Sequence, residues 1–196
     1  GRNRAKTEKV EATLSALQDG GRVESFVADL SRMGEVEALA GAVGDRHASL
    51  DVLINNAGVF KVPEPVTREG LDVRFAVNTI APYRLTQGLL PLIGTSGRVV
   101  NLSSAAQSPV DPEALAGRVH LSDDFTAYAQ SKLAITMWSR HMAQAANEDT
   151  PLVVAVNPGS LLASKMVQEG FGVAGSDINI GADILTRAAL SEEFAT

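Results

Sequence analysis

Apolar residues in this chain follow two alternating patterns. Short, nearly unbroken apolar runs such as DVLIN at 51–55 are typical of strands buried on both faces of a sheet. Longer stretches place apolar residues three and four positions apart, which predicts amphipathic helices. Strands are therefore predicted at 22–28, 51–55, 98–102 and 152–156, and helices at 4–17, through 36–43, at 68–92, 125–146 and 178–190. Pro82 is expected to bend or break the helix over 68–92.

The order of these elements predicts the fold class. Strands that alternate with helices of this length indicate an α/β protein with a parallel sheet. The 196 residues are enough for one domain, 1–196, with a sizeable core. The stretch 105–125 interrupts the alternation, and it is either a functional lid or substrate wall or a solvated excursion without a role.

The composition narrows the classes of function. A net charge of −6 disfavours nucleic acid and anionic membranes as partners, because both would be repelled. The chain has no cysteine and its three histidines show no metal-ligand spacing, so neither thiolate chemistry nor a metal is expected. No signal peptide or membrane-spanning segment is recognisable in the sequence. We expect a soluble, cytoplasmic protein.

Tyr128 and Lys132 are the most informative pair of residues. Four positions apart, they share one face of the predicted helix over 125–146. A lysine ammonium beside a phenol favours the ionised phenol, which would lower the pKa of Tyr128 from its ordinary value near 10 towards neutrality. A phenol with such a pKa can act as a general acid for a carbonyl oxygen.

Further motifs stand in a fixed order along the chain. They are Asn55-Asn56-Ala57-Gly58, Asn78, Asn101-Leu102-Ser103-Ser104 and Asn157-Pro158-Gly159. Together with Tyr128 and Lys132, this ordered set resembles the short-chain dehydrogenase/reductase family, in its retinol-dehydrogenase-like branch. The resemblance implies a Rossmann-type, doubly wound parallel sheet, of which this chain would form a single partial domain.

The resemblance also implies a catalytic set. The family's four catalytic residues would fall on Asn78, Ser104, Tyr128 and Lys132. Ser104 would donate a hydrogen bond to the substrate oxygen, and Ser103 is the alternative, since adjacent strand residues point to opposite faces. Asn78 would hold a water in a proton path to Lys132, or else its amide would bond local backbone.

A set of cofactor-binding residues follows from the same resemblance. It comprises Arg2, Asp29, Leu30, Asn55, Asn56, Ala57, Gly58, Tyr128, Lys132, Pro158 and Gly159, with Ser160 or Ser164 near the nicotinamide carboxamide. Asp29 would accept a hydrogen bond from the adenine amine or cap the helix that follows it. Gly1 stands where NAD-preferring relatives carry a carboxylate, and the guanidinium of Arg2 can bind a 2′-phosphate. NADP is therefore expected over NAD.

Two family features are missing from the sequence. It contains neither the T-G-x-x-x-G-x-G turn, which would cradle the pyrophosphate, nor the C-terminal tail, so the domain is expected to be incomplete at both ends. In the family's strand order, 3-2-1-4-5-6-7, the predicted strand 22–28 would lie without neighbours roughly 14 Å from strand 51–55. Because unpaired strand amides are costly, we expect the core of a longer protein, with a rearranged fragment as the alternative.

Two functions fit these observations. The first is an NADP(H)-dependent oxidoreductase that interconverts a small-molecule alcohol and a ketone or aldehyde, and the second is a non-catalytic dinucleotide-binding or scaffold protein. A homodimer is expected through the helices over 68–92 and 125–146, where Ile135, Met137 and Trp138 either form the interface or pack on the sheet. Apolar residues over 161–177 indicate either an apolar substrate or a lid that packs on the core.

Overall fold

A parallel three-stranded sheet forms the centre of the protein. The computed structural model describes residues 1–17 and 21–194. Its strands are β1 (Leu50–Asn55), β2 (Ile93–Leu102) and β3 (Leu152–Val156), hydrogen-bonded in the order β1-β2-β3. In register, Ile54 lies opposite Val100 and Val100 opposite Val154. The predicted parallel α/β sheet is confirmed, with β2 beginning earlier than expected because Ile93 joins β1 through a register irregularity.

The helices lie on both faces of this sheet, as in a doubly wound fold. They are α1 (Arg4–Ser15), α2 (Met33–Gly44), α3 (Val73–Phe75), α4 (Ala81–Leu89), α5 (Pro112–Leu115), α6 (Asp124–Gln144), α7 (Lys165–Phe171) and α8 (Asn179–Leu190). A π-helical turn, Ala76–Ile80, joins α3 to α4, and 3₁₀ turns cover Leu90–Leu92 and Glu192–Phe194. The short helices α5 and α7 lie in segments where the sequence predicted no regular element.

Adjacent residues of β2 build the core on opposite faces. Val99 is fully buried against residues of α2 and α4, with Trp138 of α6 packed on the same cluster. Val100 is fully buried on the other face, against Ala188 and Ala189 of α8. Successive side chains of a strand point to opposite sides, so a strand covered on both sides is apolar throughout. This explains why two adjacent positions of β2, Val99 and Val100, are both apolar.

The predicted strand over 22–28 is wrong. These residues have no regular secondary structure, although two main-chain hydrogen bonds join them to the first residue of the chain. The N–H of Gly1 donates to the carbonyl of Phe26 (3.0 Å), and the N–H of Ala28 donates to the carbonyl of Gly1 (3.1 Å). This is the pattern of one parallel bridge, and a strand needs a longer ladder. A cleft of about 500 Å³ separates residues 22–26 from β1.

Pro82 changes the hydrogen bonding of the predicted helix over 68–92. The helix begins only at Val73, where the side chain of Asp72 accepts a hydrogen bond from the N–H of Arg74 (2.8 Å). In an α-helix the N–H of residue 82 would bond the carbonyl of Asn78, and proline has no N–H. The chain responds with the π-helical turn Ala76–Ile80, which contains Asn78. The helix is bent rather than ended at this point.

Candidate active site

The hydroxyls of Tyr128 and Ser104 meet at the end of the sheet. Ser104 lies two residues beyond the end of β2, and Tyr128 lies near the N-terminus of α6. The two side chains line one cavity, and hydrogen bonding by Ser104 lowers the pKa of the Tyr128 hydroxyl. Ser103 points elsewhere: its buried hydroxyl donates to the carbonyl of Lys132 (3.0 Å) and lies 2.6 Å from Oγ1 of Thr136. Of the two serines considered from sequence, the structure thus brings Ser104 to the tyrosine.

Lys132 is buried beside this pair. Its side chain is on the same face of α6 as Tyr128, and the residue is only 4% exposed. The ammonium donates a hydrogen bond to the carbonyl of Leu102 (2.7 Å) and lies 5.8 Å from the centroid of the Tyr128 ring. Burial lowers the pKa of Lys132 to about 8, because a low-dielectric surrounding disfavours its charged form.

The predicted lowering of the pKa of Tyr128 is wrong. Burial raises the pKa of Tyr128 above its ordinary value, and the hydrogen bond with Ser104 offsets only part of this effect. The sequence argument placed the ammonium beside the phenol oxygen. In the structure the ammonium faces the ring and bonds the carbonyl of Leu102. Tyr128 is therefore protonated at neutral pH.

Asn78 clamps the loop after β1. It is fully buried, its Oδ1 accepts a hydrogen bond from the N–H of Val59 (2.8 Å), and its Nδ2 donates to the carbonyl of Val59 (2.9 Å) and to the hydroxyl of Ser131 (2.9 Å). Its amide thus bonds a distant segment rather than the local backbone. Because Pro82 removes the α-helical donor, the carbonyl of Asn78 is the group that could accept a bond from water.

The motif at 55–58 begins at the last residue of β1, and its residues lie partly in the core and partly at the crevice. Asn55 is buried, and its Nδ2 donates to Oδ1 of Asn101 (2.8 Å), whose own Nδ2 donates to the hydroxyl of Ser139 (2.9 Å). This polar chain joins β1 to β2 and α6, so the side chain of Asn55 faces away from the expected cofactor. Asn56 and Gly58 line a cavity beside Lys132, and Ala57 is exposed between them.

Two cavities meet at Tyr128. The first, about 280 Å³, lies on the Ser104 side, and the second, about 370 Å³, lies on the Lys132 side. The first is lined by Phe60, Ser103, Ser104, Ala105, Ala106, Tyr128, Asn157, Pro158, Gly159, Ser160, Leu161, Leu162, Ser164, Met166 and Val167. None of these side chains carries a charge, and Lys132 is the one charged group among the described residues that line the second cavity.

The turn after β3 brings further predicted residues to the crevice. Pro158 and Ser164 line both cavities, whereas Gly159 and Ser160 line only the first. Gly159 has φ +123°, a conformation that other residues rarely adopt, and a Cβ there would lie 3.2 Å from Leu162. Glycine therefore allows the tight turn that directs this segment over Tyr128.

Arg2 and Asp29 lie together at a separate cavity of about 410 Å³, which Arg32 and Arg68 also line. Oδ1 of Asp29 accepts hydrogen bonds from the N–H (3.0 Å) and hydroxyl (2.8 Å) of Ser31. Burial raises the pKa of Asp29, but these hydrogen bonds and the charges of Arg2 and Arg32 outweigh it and lower the pKa overall. Asp29 does not cap α2, which begins at Met33 with Arg32 in the capping position.

Leu30 follows Asp29 and is half-buried, but it is not among the residues that line this cavity.

Within residues 1–17 and 21–194, no group of His, Asp and Glu side chains could hold a metal ion. In the same part of the chain no helix has both the length and the apolar character to cross a membrane.

The comparisons with known proteins agree with this geometry. A family model described as short chain dehydrogenase matches residues 1–171. The chain belongs to the short-chain dehydrogenase family. It is 31% identical over 135 residues to human retinol dehydrogenase 13 (67% of this chain, 41% of the relative) and 32% identical over 170 residues to bovine retinol dehydrogenase 12 (85% and 53%). These relatives place it in the retinol-dehydrogenase-like branch.

A solved structure matches almost the whole chain. It is a metagenomic short-chain oxidoreductase in complex with NADP, with a TM-score of 0.69 and 27% identity, and the match covers 98% of this chain and 78% of that one. The chain spans about half the length of the curated relatives it matches. The Rossmann-type fold of the short-chain dehydrogenases is thereby shown, and the sheet of three strands is that of an incomplete domain.

The residues fit the two ends of a dinucleotide. Gly58 lies beside both Asn78 and Lys132, since a Cβ there would be in ordinary contact with Oδ1 of Asn78 (3.5 Å) and Nζ of Lys132 (3.7 Å). Lys132 supplies a buried donor at one end, and Arg2 supplies a cation at the other. Sequence reasoning missed the crevice residue Phe60, whereas Met166 lies in the apolar stretch over 161–177 that it associated with a substrate or a lid. Phe60 follows the Asn-Asn-Ala-Gly motif by two positions, which could have drawn attention to it.

Proposed function

We propose that the protein is an NADP(H)-dependent oxidoreductase that interconverts an alcohol and a ketone or aldehyde. The observation that carries this proposal is that the hydroxyl-bearing side chains of Ser104 and Tyr128 line one cavity whose described lining residues carry no charge, with the Lys132 ammonium 5.8 Å from the centre of the phenol ring. Two hydroxyls that converge on one cavity can both bond a single carbonyl oxygen. Such a site matches the proton-transfer step of carbonyl reduction.

Each group has one task in the proposed reaction. Ser104 donates a hydrogen bond to the substrate oxygen and orients it. Tyr128, whose raised pKa keeps it protonated, gives its proton to that oxygen during reduction and takes it back during oxidation. The bound nicotinamide cofactor supplies or accepts the hydride. Lys132 has three N–H donors, of which Leu102 takes one, so it can also hold ribose hydroxyls and assist proton return.

The preference for NADP over NAD depends on the cavity around Arg2. Three guanidinium groups, those of Arg2, Arg32 and Arg68, line that cavity, and a 2′-phosphate binds guanidinium in a bidentate manner. Carboxylates are present there as well, and Glu35 already pairs with Arg32 (2.9 Å). Arg2 is the group we assign to the phosphate. The complex of the metagenomic relative with NADP supports NADP as the cofactor class.

The substrate is proposed to be a small neutral molecule, because none of the described residues that line the cavity beside Ser104 carries a charge.

The proposed homodimer is narrowed to one of its three candidate residues. Ile135 is buried in the core, and Trp138 packs on the core cluster and on the ring of Tyr83 (5.6 Å between centroids). Met137, 55% exposed, is the residue of the three that could contact a partner. The cytoplasmic location expected from the sequence stays a prediction.

The adjacent serines offer a matched test. In the full-length protein, Ser104→Ala should lower kcat by about a hundredfold or more, because a donor to the reacting oxygen is lost. Ser103→Ala should cost about 1 kcal/mol of stability through its bond to the Lys132 carbonyl, and less than about fivefold in kcat. NADPH consumption with a ketone measures the first effect and urea unfolding the second. Equal losses of kcat in the two variants would contradict the role proposed for Ser104, whereas a wild-type protein that binds NADPH and reduces no ketone would favour a non-catalytic protein.

A further inference from the structure

Phe60 lies between the proposed proton donor and the helix that covers the crevice. Its ring is buried, with its centroid 5.1 Å from that of Tyr128 and 6.5 Å from that of Phe125 in an edge-on contact. The ring also lines the cavity beside Ser104. The Phe60 side chain thus contacts Tyr128 and Phe125, both in the first turns of α6, and it also lines the proposed substrate space.

Gly170 of α7 meets the same ring. A Cβ on Gly170 would lie 2.6 Å from Cδ1 and 2.7 Å from Cε1 of Phe60, distances that real atoms do not adopt. Glycine is therefore the one residue that lets the helix backbone approach the ring this closely. One helical turn earlier, Met166 touches the neighbouring loop, because its Cε lies 3.7 Å from the place of a Cβ on Gly58. The helix thus contacts residues 58–60 at two points.

These contacts bear on the size of the crevice. Met166 lines both cavities, and Val167 lines the cavity beside Ser104. Both residues are carried by α7, so the distance between α7 and the Phe60 ring sets the space above Tyr128 and Ser104. A helix held away from Phe60 would leave this space wider and more open to water.

We propose that the contact between Phe60 and Gly170 fixes α7 over the crevice and makes Phe60 a specificity-determining residue. The ring limits the size of the substrate that fits between α7 and Tyr128. The specificity part of this proposal rests on the proposed oxidoreductase function, whereas the docking of α7 on Phe60 does not. The two parts are therefore tested by separate measurements.

Limited proteolysis tests the docking. Lys165 is the only Lys or Arg between Arg140 and Arg187, and its side chain is 78% exposed, so trypsin cleavage after it reports release of α7. In the full-length protein, Gly170→Ala should speed this cleavage about tenfold, because the added Cβ displaces the helix. The double variant with Phe60→Leu as well should return to within about twofold of the wild type, since the smaller side chain makes room.

The control is Gly41→Ala, also a helical glycine, whose added Cβ would meet no atom within 4 Å. It should leave the cleavage rate unchanged. An unchanged rate in Gly170→Ala, or a double variant that is cleaved as fast as the single one, overturns the docking. Should Gly170→Ala fail to fold, recovery of the fold by Phe60→Leu supports the contact, and failure to recover overturns it.

Ketone reduction tests the specificity. With NADPH and two probe ketones, acetophenone and the bulkier 2-acetylnaphthalene, Phe60→Leu should raise the ratio of kcat/KM for the larger to that for the smaller about tenfold. An unchanged ratio overturns the role of Phe60 in specificity. If proteolysis behaves as predicted and no variant, nor the wild type, reduces any ketone, the docking stands and the proposed oxidoreductase function fails.

Discussion

Replacing Lys132 by methionine should stabilise the protein at neutral pH while removing its activity. Lys132 is nearly fully buried, and its ammonium donates a hydrogen bond to the carbonyl of Leu102 in place of bulk water. Methionine has a similar length and no charge, so it can fill the same space without the desolvation cost. The stability gain would show that this position is occupied for function rather than for folding.

The magnitude follows from the pKa. Burial lowers the pKa of Lys132 from 10.5 to about 8, and a difference of about 2.5 corresponds to about 3 kcal/mol. Loss of the hydrogen bond to Leu102 returns about 1 kcal/mol, which leaves a net gain of about 2 kcal/mol. Below about pH 8 the lysine is charged in both the folded and unfolded states, so the full cost is present. As the pH rises from about 8 towards 10.5, the cost disappears.

Urea unfolding of the full-length protein without cofactor measures this difference. Lys132→Met should be more stable than the wild type by about 2 kcal/mol at neutral pH, and the two should be equal at about pH 10. Lys9→Met, at an exposed position of α1, is the matched control and should change stability by less than about 0.5 kcal/mol at either pH. A less stable Lys132→Met variant, or a gain that does not shrink as the pH rises, would refute this reasoning.

Three further predictions concern the fold and the cofactor. Arg74→Met should destabilise the protein by about 3–5 kcal/mol in urea unfolding, because the buried carboxylate of Asp72 loses its bidentate partner. Asn55→Ala should cost about 2 kcal/mol in the same assay, since Oδ1 of Asn101 is left without its donor, and an unchanged midpoint would contradict the buried chain. Arg2→Ala should raise the Kd of NADPH about tenfold and leave that of NADH within about twofold, as measured by fluorescence titration. Parallel losses for both cofactors would place the 2′-phosphate elsewhere.

The sequence predicted those features that depend on local patterns. The strands ending at Asn55, Leu102 and Val156 were recognisable because burial on both faces requires continuous apolar runs. Tyr128 and Lys132 shared a helix face because their spacing fixes it. The segment 22–28 carries the apolar residues Val23, Phe26 and Val27 as well, but a strand also needs neighbours along its length, and within residues 1–17 and 21–194 its main-chain hydrogen bonds join it to Gly1 alone.

Features that depend on distant contacts could not be predicted. Asn55 and Asn56 are adjacent polar residues, and only the packing of α6 shows that the first faces the core. The pKa of Tyr128 was expected to fall, because spacing reveals a nearby charge and not the burial that opposes it. The contact of Phe60 with Gly170 joins two segments far apart in the chain, and neither residue type indicates the other.

Turnover by Tyr128→Phe tests the central claim most directly. This variant of the full-length protein keeps the ring and its contact with Phe60 but loses the hydroxyl that bonds Ser104. Tyr83→Phe, at the one other tyrosine in the chain, is the matched control. We predict that Tyr128→Phe binds NADPH with an affinity within about twofold of the wild type and reduces ketones at least about a thousandfold more slowly. Ketone reduction by Tyr128→Phe at the rate of Tyr83→Phe would contradict the account.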